Sequence, residues 1–361
     1  MTPPPFFRQN VALAPLTTIG LGGSARLFAT CTSVDQLRAA LRYVISAGVP
    51  LQVFSGGSNV IFADEGFDGC ILHVDLRGIN VSQKPGEVIV RAAAGEPWDL
   101  FVARATEHGW GGVECLSGIP GSVGATPVQN VGAYGQEVAE TITGIRALDV
   151  RTLKEISLSP EECGFSYRRS RFKGEGAGRF IITEVEYSLR PDAPAVIRYE
   201  ELRRSVETAV DLSKLRPGTE TLTAIRGAVI ALRKSKSMVI DPTDENSRSV
   251  GSFYTNPVLS EGEFRQLQER WRASGGSASM PKFPSAHGIK VPAAWLVEHA
   301  GFSKGFRRGG AGISSNHALA LVNRGGTTRE LMGLAEEIRE AVFATFGVRL
   351  EYEPVIVPFR P

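Results

Sequence analysis

The sequence predicts an α+β protein, with a β-rich first half followed by a smaller α+β unit. Three observations point there. Short apolar or alternating strand patterns crowd the first half, at Leu51 to Phe54, Val60 to Ala63, Gly69 to Val74, Glu87 to Ala93, Ile142 to Asp149, Glu155 to Leu158 and Phe180 to Leu189. At Pro191 the composition shifts, and after the linker-like PDAPAV helical periodicity dominates as far as Lys236. Beyond that, helices and strands mix again and end in a long helix from Thr328 to Phe346 and a strand-like run from Val348 to Val357. The boundaries that follow are 1–190 for a first domain of two lobes divided near 75–85, 191–235 for a linker and helices returning to it, 236–345 for a second domain, and 346–361 for a C-terminal strand.

With 361 residues, 42% hydrophobic and 22% charged, the chain has ample material for a core. The net charge of +2 and the lack of any Lys/Arg run longer than a pair exclude a nucleic-acid footprint. Cys31, Cys70, Cys115 and Cys163 are far apart, with no C-x-x-C pair, so no metal site and no disulfide framework is expected. No run of about 18 apolar residues occurs, and the start MTPPPFFRQN lacks a basic region followed by an apolar one, so no membrane segment is expected and the predicted compartment is the cytoplasm.

Gly20, Gly22 and Ala25 fit the dinucleotide fingerprint G-x-G-x-x-A. Pro15 interrupts the run before them, however, and Arg26 to Ala29 reads as a strand rather than a helix opening, so a turn between strands or a loop near a ligand is the better reading. Ser33 to Gly48 is an amphipathic helix that Thr32 or Ser33 can cap. Ser55-Gly56-Gly57-Ser58-Asn59 joins two strands, either as a tight hairpin turn or as a nest of backbone N–H groups for phosphate. Pro97 to His108 is a helix, and then comes the most unusual stretch, SGIPGSVGATPVQNVGAYGQE from Ser117 to Glu137. Gly118, Gly121, Gly124, Gly132 and Gly135 recur too often for a regular element, while Gln129, Asn130 and Tyr134 add donors and acceptors, which suits a loop wrapped around a polar, phosphorylated ligand. Cys163 to Lys173 is rich in arginine and aromatic residues, and Thr221 to Arg233 is a strong helix. Ser260 with Glu263 forms a capping box, Gly275 to Ala286 is a loop, Pro292 to His299 is a short helix and Ala318 to Asn323 is a strand.

Five segments in this order resemble the UDP-N-acetylenolpyruvoylglucosamine reductase (MurB) family: SGGSNVIF at Ser55 to Phe62, IPGSVGATPVQNVGAYGQE at Ile119 to Glu137, FSYRRSRFK at Phe165 to Lys173, GSFYTNP at Gly251 to Pro257 and LEYEP at Leu350 to Pro354. The resemblance runs from about Thr17 to Val357. It implies a two-lobed FAD-binding domain of the flavin oxidase (PCMH/VAO-like) type, followed by a substrate-binding domain. The implied activity is reduction of UDP-N-acetylglucosamine enolpyruvate to UDP-N-acetylmuramate in peptidoglycan precursor synthesis, with NADPH reducing a noncovalent FAD. The expected form is a monomer.

By the same resemblance Ser55, Gly56, Gly57, Ser58 and Asn59 hold the FAD pyrophosphate, and Gly121, Ser122, Gly124, Ala125, Asn130, Gly132 and Tyr134 lie along the flavin and ribityl portion. Hydride addition to an enolpyruvyl ether needs donors for the charge that builds toward the carboxylate. Arg168, in the Y-R-x-S pattern, is the expected clamp; taken alone it reads as a surface arginine beside Arg169 and Arg171. Ser252 matches the family's proton donor, although a serine beside glycine is ordinarily a turn residue. Glu353 matches the group that meets the intermediate, in a terminal strand whose apolar surroundings would raise a carboxyl pKa; Glu351, on the same strand face, fits by spacing alone, and Pro354 stands where the family usually has valine. Arg233, Lys236, Asn256 and Lys290 are implied for the diphosphate and uridine, His317 for the substrate, and Tyr134 borders the sugar. Tyr199, after the linker, matches the capping tyrosine of the type I branch, whereas the length between Lys236 and Ser252 departs from it. Two other readings compete: another FAD-dependent oxidoreductase of the superfamily acting on a sugar or alcohol, and a nucleotide-sugar binding module that lost the reaction. His73 and Cys70 match no flavin-attachment motif, and the module reading predicts loss of Arg168, Ser252 and Glu353, all of which are present.

Overall fold

A computed structural model describes residues 3–285 and 287–357. Residues 1, 2, 286 and 358–361 lie outside the described part, and with them the end of the expected loop at Ala286 and of the expected C-terminal segment 346–361. The described chain forms two compact units, and they are interleaved in sequence. One comprises residues 1–11, 25–57 and 68–239, the other 12–24, 58–67 and 240–361. Segments 12–24 and 58–67, expected in the first domain, therefore group with the C-terminal part. Strand pairing is the reason: Val60–Phe62 runs parallel to Val355–Val357.

In the first unit, one sheet has the spatial order Phe7–Ala12, Ser24–Cys31, Phe67–Val74, Leu51–Phe54, the last two strands being parallel. Helix Val34–Ser46 covers its core side with Leu37, Ala40, Leu41 and Val44, and Ser33 caps it by accepting from Gln36 N–H. A second sheet is antiparallel throughout, in the order Glu155–Leu158, Ile142–Asp149, Phe180–Leu189, Glu87–Ala93, Ile79–Lys84. Helix Trp98–Glu107 packs on it through Phe101, whose ring lies 4.8 Å from that of Tyr187, and the Trp98 indole N–H donates to Leu116 O at 3.0 Å. Buried side chains of both sheets form one continuous cluster. Helices Glu200–Ala209 and Thr219–Ser235 belong to the same unit and bury a smaller cluster around Leu202, Val206, Ile225 and Val229.

The second unit contains an antiparallel sheet ordered Ser249–Ser252, Ala320–Asn323, Ala311–Ile313, Arg307–Arg308, a three-stranded sheet ordered Val258–Leu259, Gly288–Lys290, Phe283–Ser285, and the parallel pair named above. Helix Thr328–Phe346 packs Leu331, Leu334, Ala335, Ile338, Val342 and Phe346 into its core. Helix Glu261–Ala273 opens on the expected Ser260–Glu263 capping box.

Three local expectations are corrected. The predicted strand from Val348 is strand only at Val355–Val357; Tyr352 makes an isolated bridge to Tyr254, and Pro354, which has no N–H for a ladder, precedes the strand. The loop expected after Gly275 contains strand Phe283–Ser285. The 55–59 loop is no hairpin turn, because the strands on either side of it, Leu51–Phe54 and Val60–Phe62, pair in different sheets.

Candidate active site

The first unit holds Ser55, Gly56 and Gly57, the glycine stretch, Arg168, Tyr199, Arg233 and Lys236; the second holds Ser58, Asn59, Ser252, Asn256, Lys290, His317 and Glu353.

The loop at Ser55 to Gly57 lies against Gly121 and Ser122. A Cβ added to Gly56 would fall 2.8 Å from Gly121 Cα, so the two backbones touch where no side chain fits. The hydroxyls of Ser55 and Ser122 hydrogen-bond to each other, and Trp98 N–H donates to Gly121 O at 3.0 Å. These two glycine loops, touching through backbone and carrying only small side chains, suit a pyrophosphate and flavin approached through backbone, so the residues present fit FAD. Not every expected cofactor residue keeps its polar groups for a ligand. Gly124 N–H and Ala125 N–H donate to Ala94 O and Ser122 O, and a Cβ on Gly124 would fall 2.5 Å from that of Ala94, so close packing is what requires this glycine. The buried Asn130 amide donates to Glu137 Oε2 at 2.7 Å and to Ser166 O at 3.1 Å, and its oxygen accepts from Ala139 N–H. Asn130 thereby holds the loop's shape.

Arg168 adopts φ +54°, a left-handed conformation that costs a non-glycine residue roughly 1 kcal/mol. Its Nη2 donates to Gly132 O at 2.7 Å, which ties the arginine segment to the glycine stretch. Tyr134, at φ +48°, packs edge-on to Tyr199 with ring centroids 5.6 Å apart. Burial pushes the Tyr134 hydroxyl up to about 12, with Arg233 acting in the opposite direction. Arg233 donates through Nη2 to Met238 O at 2.7 Å, while its buried Nε has no hydrogen-bond partner among the described residues. Burial lowers its pKa against the pull of Tyr134 and Asp99. A partly unsatisfied buried guanidinium near Tyr134 is a ready site for an anion. Lys236 pairs with Glu201 at 2.8 Å.

In the second unit, Glu353 N–H donates to Phe253 O at 3.0 Å, directly after Ser252. Ser252 pairs with Ala320, and Phe253 N–H donates to Leu319 O. His317 Nδ1 accepts from Leu319 N–H at 3.1 Å, which leaves the proton of the neutral ring on Nε2. Asn59 lies beside Glu353, its O accepting from Val355 N–H at 3.0 Å. Asn256 and Lys290 are neighbours through the Val258–Lys290 pair, and Asn256 Oδ1 accepts from Ala293 N–H at 2.8 Å at the start of the helix Ala293–His299. Glu351 is exposed and not on a strand. The Gly20–Gly22 turn, by contrast, is structural: Asn323 Nδ2 donates to Ile19 O and Gly20 O, and strand Ser24–Cys31 follows.

Sequence reasoning missed two polar pairs in the first unit. Asp99 accepts both Arg226 Nη atoms, at 2.6 and 2.9 Å, together with Gly118 N–H at 2.6 Å. Glu114 and Gln136 are both buried and hydrogen-bond at 2.7 Å. The carboxylate of Glu114, set in the apolar run Val113 to Leu116, was the available signal.

The fold and the backbone-lined cradle define an FAD-binding protein, and residues 25–152 match the FAD binding domain family. Residues 241–357 match the family described as UDP-N-acetylenolpyruvoylglucosamine reductase, C-terminal domain. The UDP-N-acetylenolpyruvoylglucosamine reductase of Thermobifida fusca (strain YX) is 45% identical over 357 residues, covering 97% of this chain and 98% of the relative. That of Streptomyces coelicolor (strain ATCC BAA-471 / A3(2) / M145) is 46% identical over 354 residues, covering 97% and 90%. The crystal structure of the reductase from Thermus caldophilus shares the fold, with a TM-score of 0.66 at 23% identity over 98% of this chain and 100% of that one. The chain belongs to the UDP-N-acetylenolpyruvoylglucosamine reductase family and is an FAD-dependent oxidoreductase.

Proposed function

We propose that the protein reduces UDP-N-acetylglucosamine enolpyruvate to UDP-N-acetylmuramate at the expense of NADPH, a step of peptidoglycan precursor synthesis. FAD, bound noncovalently, would supply the hydride-carrying chemistry that links NADPH to the enolpyruvyl group. Ser55, Gly56, Gly57, Ser58 and Asn59 bind its pyrophosphate, and Gly121, Ser122, Gly132 and Tyr134 border the flavin and ribityl portion.

Arg168 binds the substrate carboxylate and stabilises the charge that moves onto it as the neighbouring carbon becomes enolic. Ser252 gives its proton to that carbon, and Glu353 hydrogen-bonds the same group. Arg233, Lys236, Asn256 and Lys290 hold the diphosphate and uridine, His317 meets the substrate, and Tyr199 covers it. The free, buried cysteines, with Cys31 pushed up to about 12 by burial, suit a reducing compartment and support a cytoplasmic enzyme.

The observation that carries the reading is the Glu353 to Phe253 hydrogen bond, which sets two chemically matched groups from distant parts of the sequence on adjoining segments. Mass spectrometry of the product tests it. Incubation with NADPH and the enolpyruvyl substrate is expected to yield the lactyl ether, two hydrogens heavier. Consumption of NADPH and oxygen with the substrate returned intact would favour the oxidase reading.

A further inference from the structure

Tyr134 and Gly135 form a two-residue turn between Gly132–Ala133 and Gln136–Glu137, with φ of +48° and +84°. Such turns ordinarily take Asn-Gly or Gly-Gly, so a tyrosine at the first position is held there by its surroundings. The next residue supplies the restraint. Gln136 is 7% exposed; its Oε1 accepts from Cys115 N–H at 2.8 Å, and its Nε2 donates to Glu114 Oε1 at 2.7 Å. Glu114, 2% exposed, accepts from Gly112 N–H through its other oxygen at 2.7 Å. An N–H faces one end of the Gln136 amide and a carboxylate the other, so its orientation is unique. Cys115 also belongs to the apolar cluster against which Tyr134 packs. The same short segment therefore anchors the backbone after the turn and seats the ring within it.

We propose that Gln136, clamped between Glu114 and Cys115, is a positioning residue for substrate recognition: it holds Tyr134 in its left-handed turn so that the ring stands against Tyr199 as a wall of the nucleotide-sugar site. This rests on the assignment of Tyr134 to that site. Gln136→Glu would remove the donor to Glu114 Oε1 and face one carboxylate with another. Exchanging the two side chains, Glu114→Gln with Gln136→Glu, restores donor to acceptor.

The test is calorimetric titration of the flavin-loaded enzyme with UDP-N-acetylglucosamine, beside steady-state kinetics with the enolpyruvyl substrate. Gln136→Glu is expected to raise Kd and KM roughly tenfold with kcat within about twofold, and the exchanged double variant to restore both. Gln136→Met keeps the length and loses both hydrogen bonds; it is expected to raise Kd likewise and serves where the glutamate variant does not fold. Wild-type Kd in the folded single variants, with only the melting temperature lowered, would overturn the proposal. Tyr134→Ala separates the two claims. Raised Kd there beside unchanged Kd in the Gln136 variants overturns the positioning role alone, whereas unchanged Kd in Tyr134→Ala overturns the assignment of Tyr134 and the proposal with it.

Discussion

The backbone N–H of Glu353 donates to the carbonyl of Phe253 at 3.0 Å, and on the other side of the Tyr254–Tyr352 bridge Thr255 N–H donates to Glu351 O, also at 3.0 Å. Backbone bonds fix this register. Glu353→Gln is accordingly expected to keep the melting temperature within about 1–2 °C, as for a substitution outside the core. Turnover of the enolpyruvyl substrate is expected to fall by about 100-fold or more, because the amide cannot take the place of a carboxyl able to exchange a proton. A large loss of stability would assign Glu353 to the fold instead.

Gly56 meets Gly121 backbone to backbone. Gly56→Ala places a Cβ 2.8 Å from Gly121 Cα, and because the obstacle is backbone, one loop must shift. The expected cost is about 1–3 kcal/mol, together with loss of most of the bound flavin. The ratio of flavin to protein absorbance in the purified variant checks this; full occupancy would mean that the two loops separate without affecting the cofactor.

Asp99 joins the helices Trp98–Glu107 and Thr219–Ser235 to the glycine stretch. Burial by itself would raise its carboxyl pKa, but the Arg226 guanidinium and Gly118 N–H more than offset that and hold it below the ordinary value of 3.8. A carboxylate depressed in this way contributes stability above its unfolded pKa and loses it as the pH falls through the folded value. Asp99→Asn is expected to cost about 1–2 kcal/mol at pH 7, between the limits for exposed and buried pairs. Melting temperatures of the two proteins followed downward from pH 7 are expected to converge below pH 3.8. A gap that persists at low pH would show that the ionised pair is not its source.

Gly227 lies inside the helix Thr219–Ser235, and among the described residues no heavy atom beyond its chain neighbours and the helix's own nearby backbone stands within 4 Å of where its Cβ would be. Gly227→Ala is expected to stabilise the protein by about 0.5–1 kcal/mol through reduced backbone entropy of the unfolded chain. Chemical denaturation measures it; destabilisation would mean that the helix needs the glycine for a close approach.

Elements set by local chemistry were legible in the sequence. Ser33 accepts from Gln36, Ser260 and Glu263 form their capping box, and Glu87–Ala93 and Phe180–Leu189 begin and end where their alternation does. Ile79–Lys84 escaped notice because it is an edge strand in which only Ile79 and Val81 alternate toward the core before polar residues take over, and Phe7–Ala12 is another polar edge. The interleaving of the two units rests on pairing between Val60–Phe62 and Val355–Val357, which leaves no mark in either segment alone. At the site, the glycine stretch and the Arg168 segment announced themselves by composition. What composition did not reveal is that Asn130, Gly124 and Ala125 use their polar groups on other parts of the protein, or that Gln136 and Asp99 anchor the loop.

The central claim is that Ser252 gives the proton that completes reduction of the enolpyruvyl group. Anaerobic stopped-flow absorbance tests it most directly, by comparing wild type and Ser252→Ala first on mixing with NADPH, then on mixing the reduced protein with UDP-N-acetylglucosamine enolpyruvate. The variant is expected to be reduced by NADPH at the wild-type rate and reoxidised by the substrate roughly 100-fold or more slowly. Equal slowing of both half-reactions, or reoxidation at the wild-type rate, would contradict it.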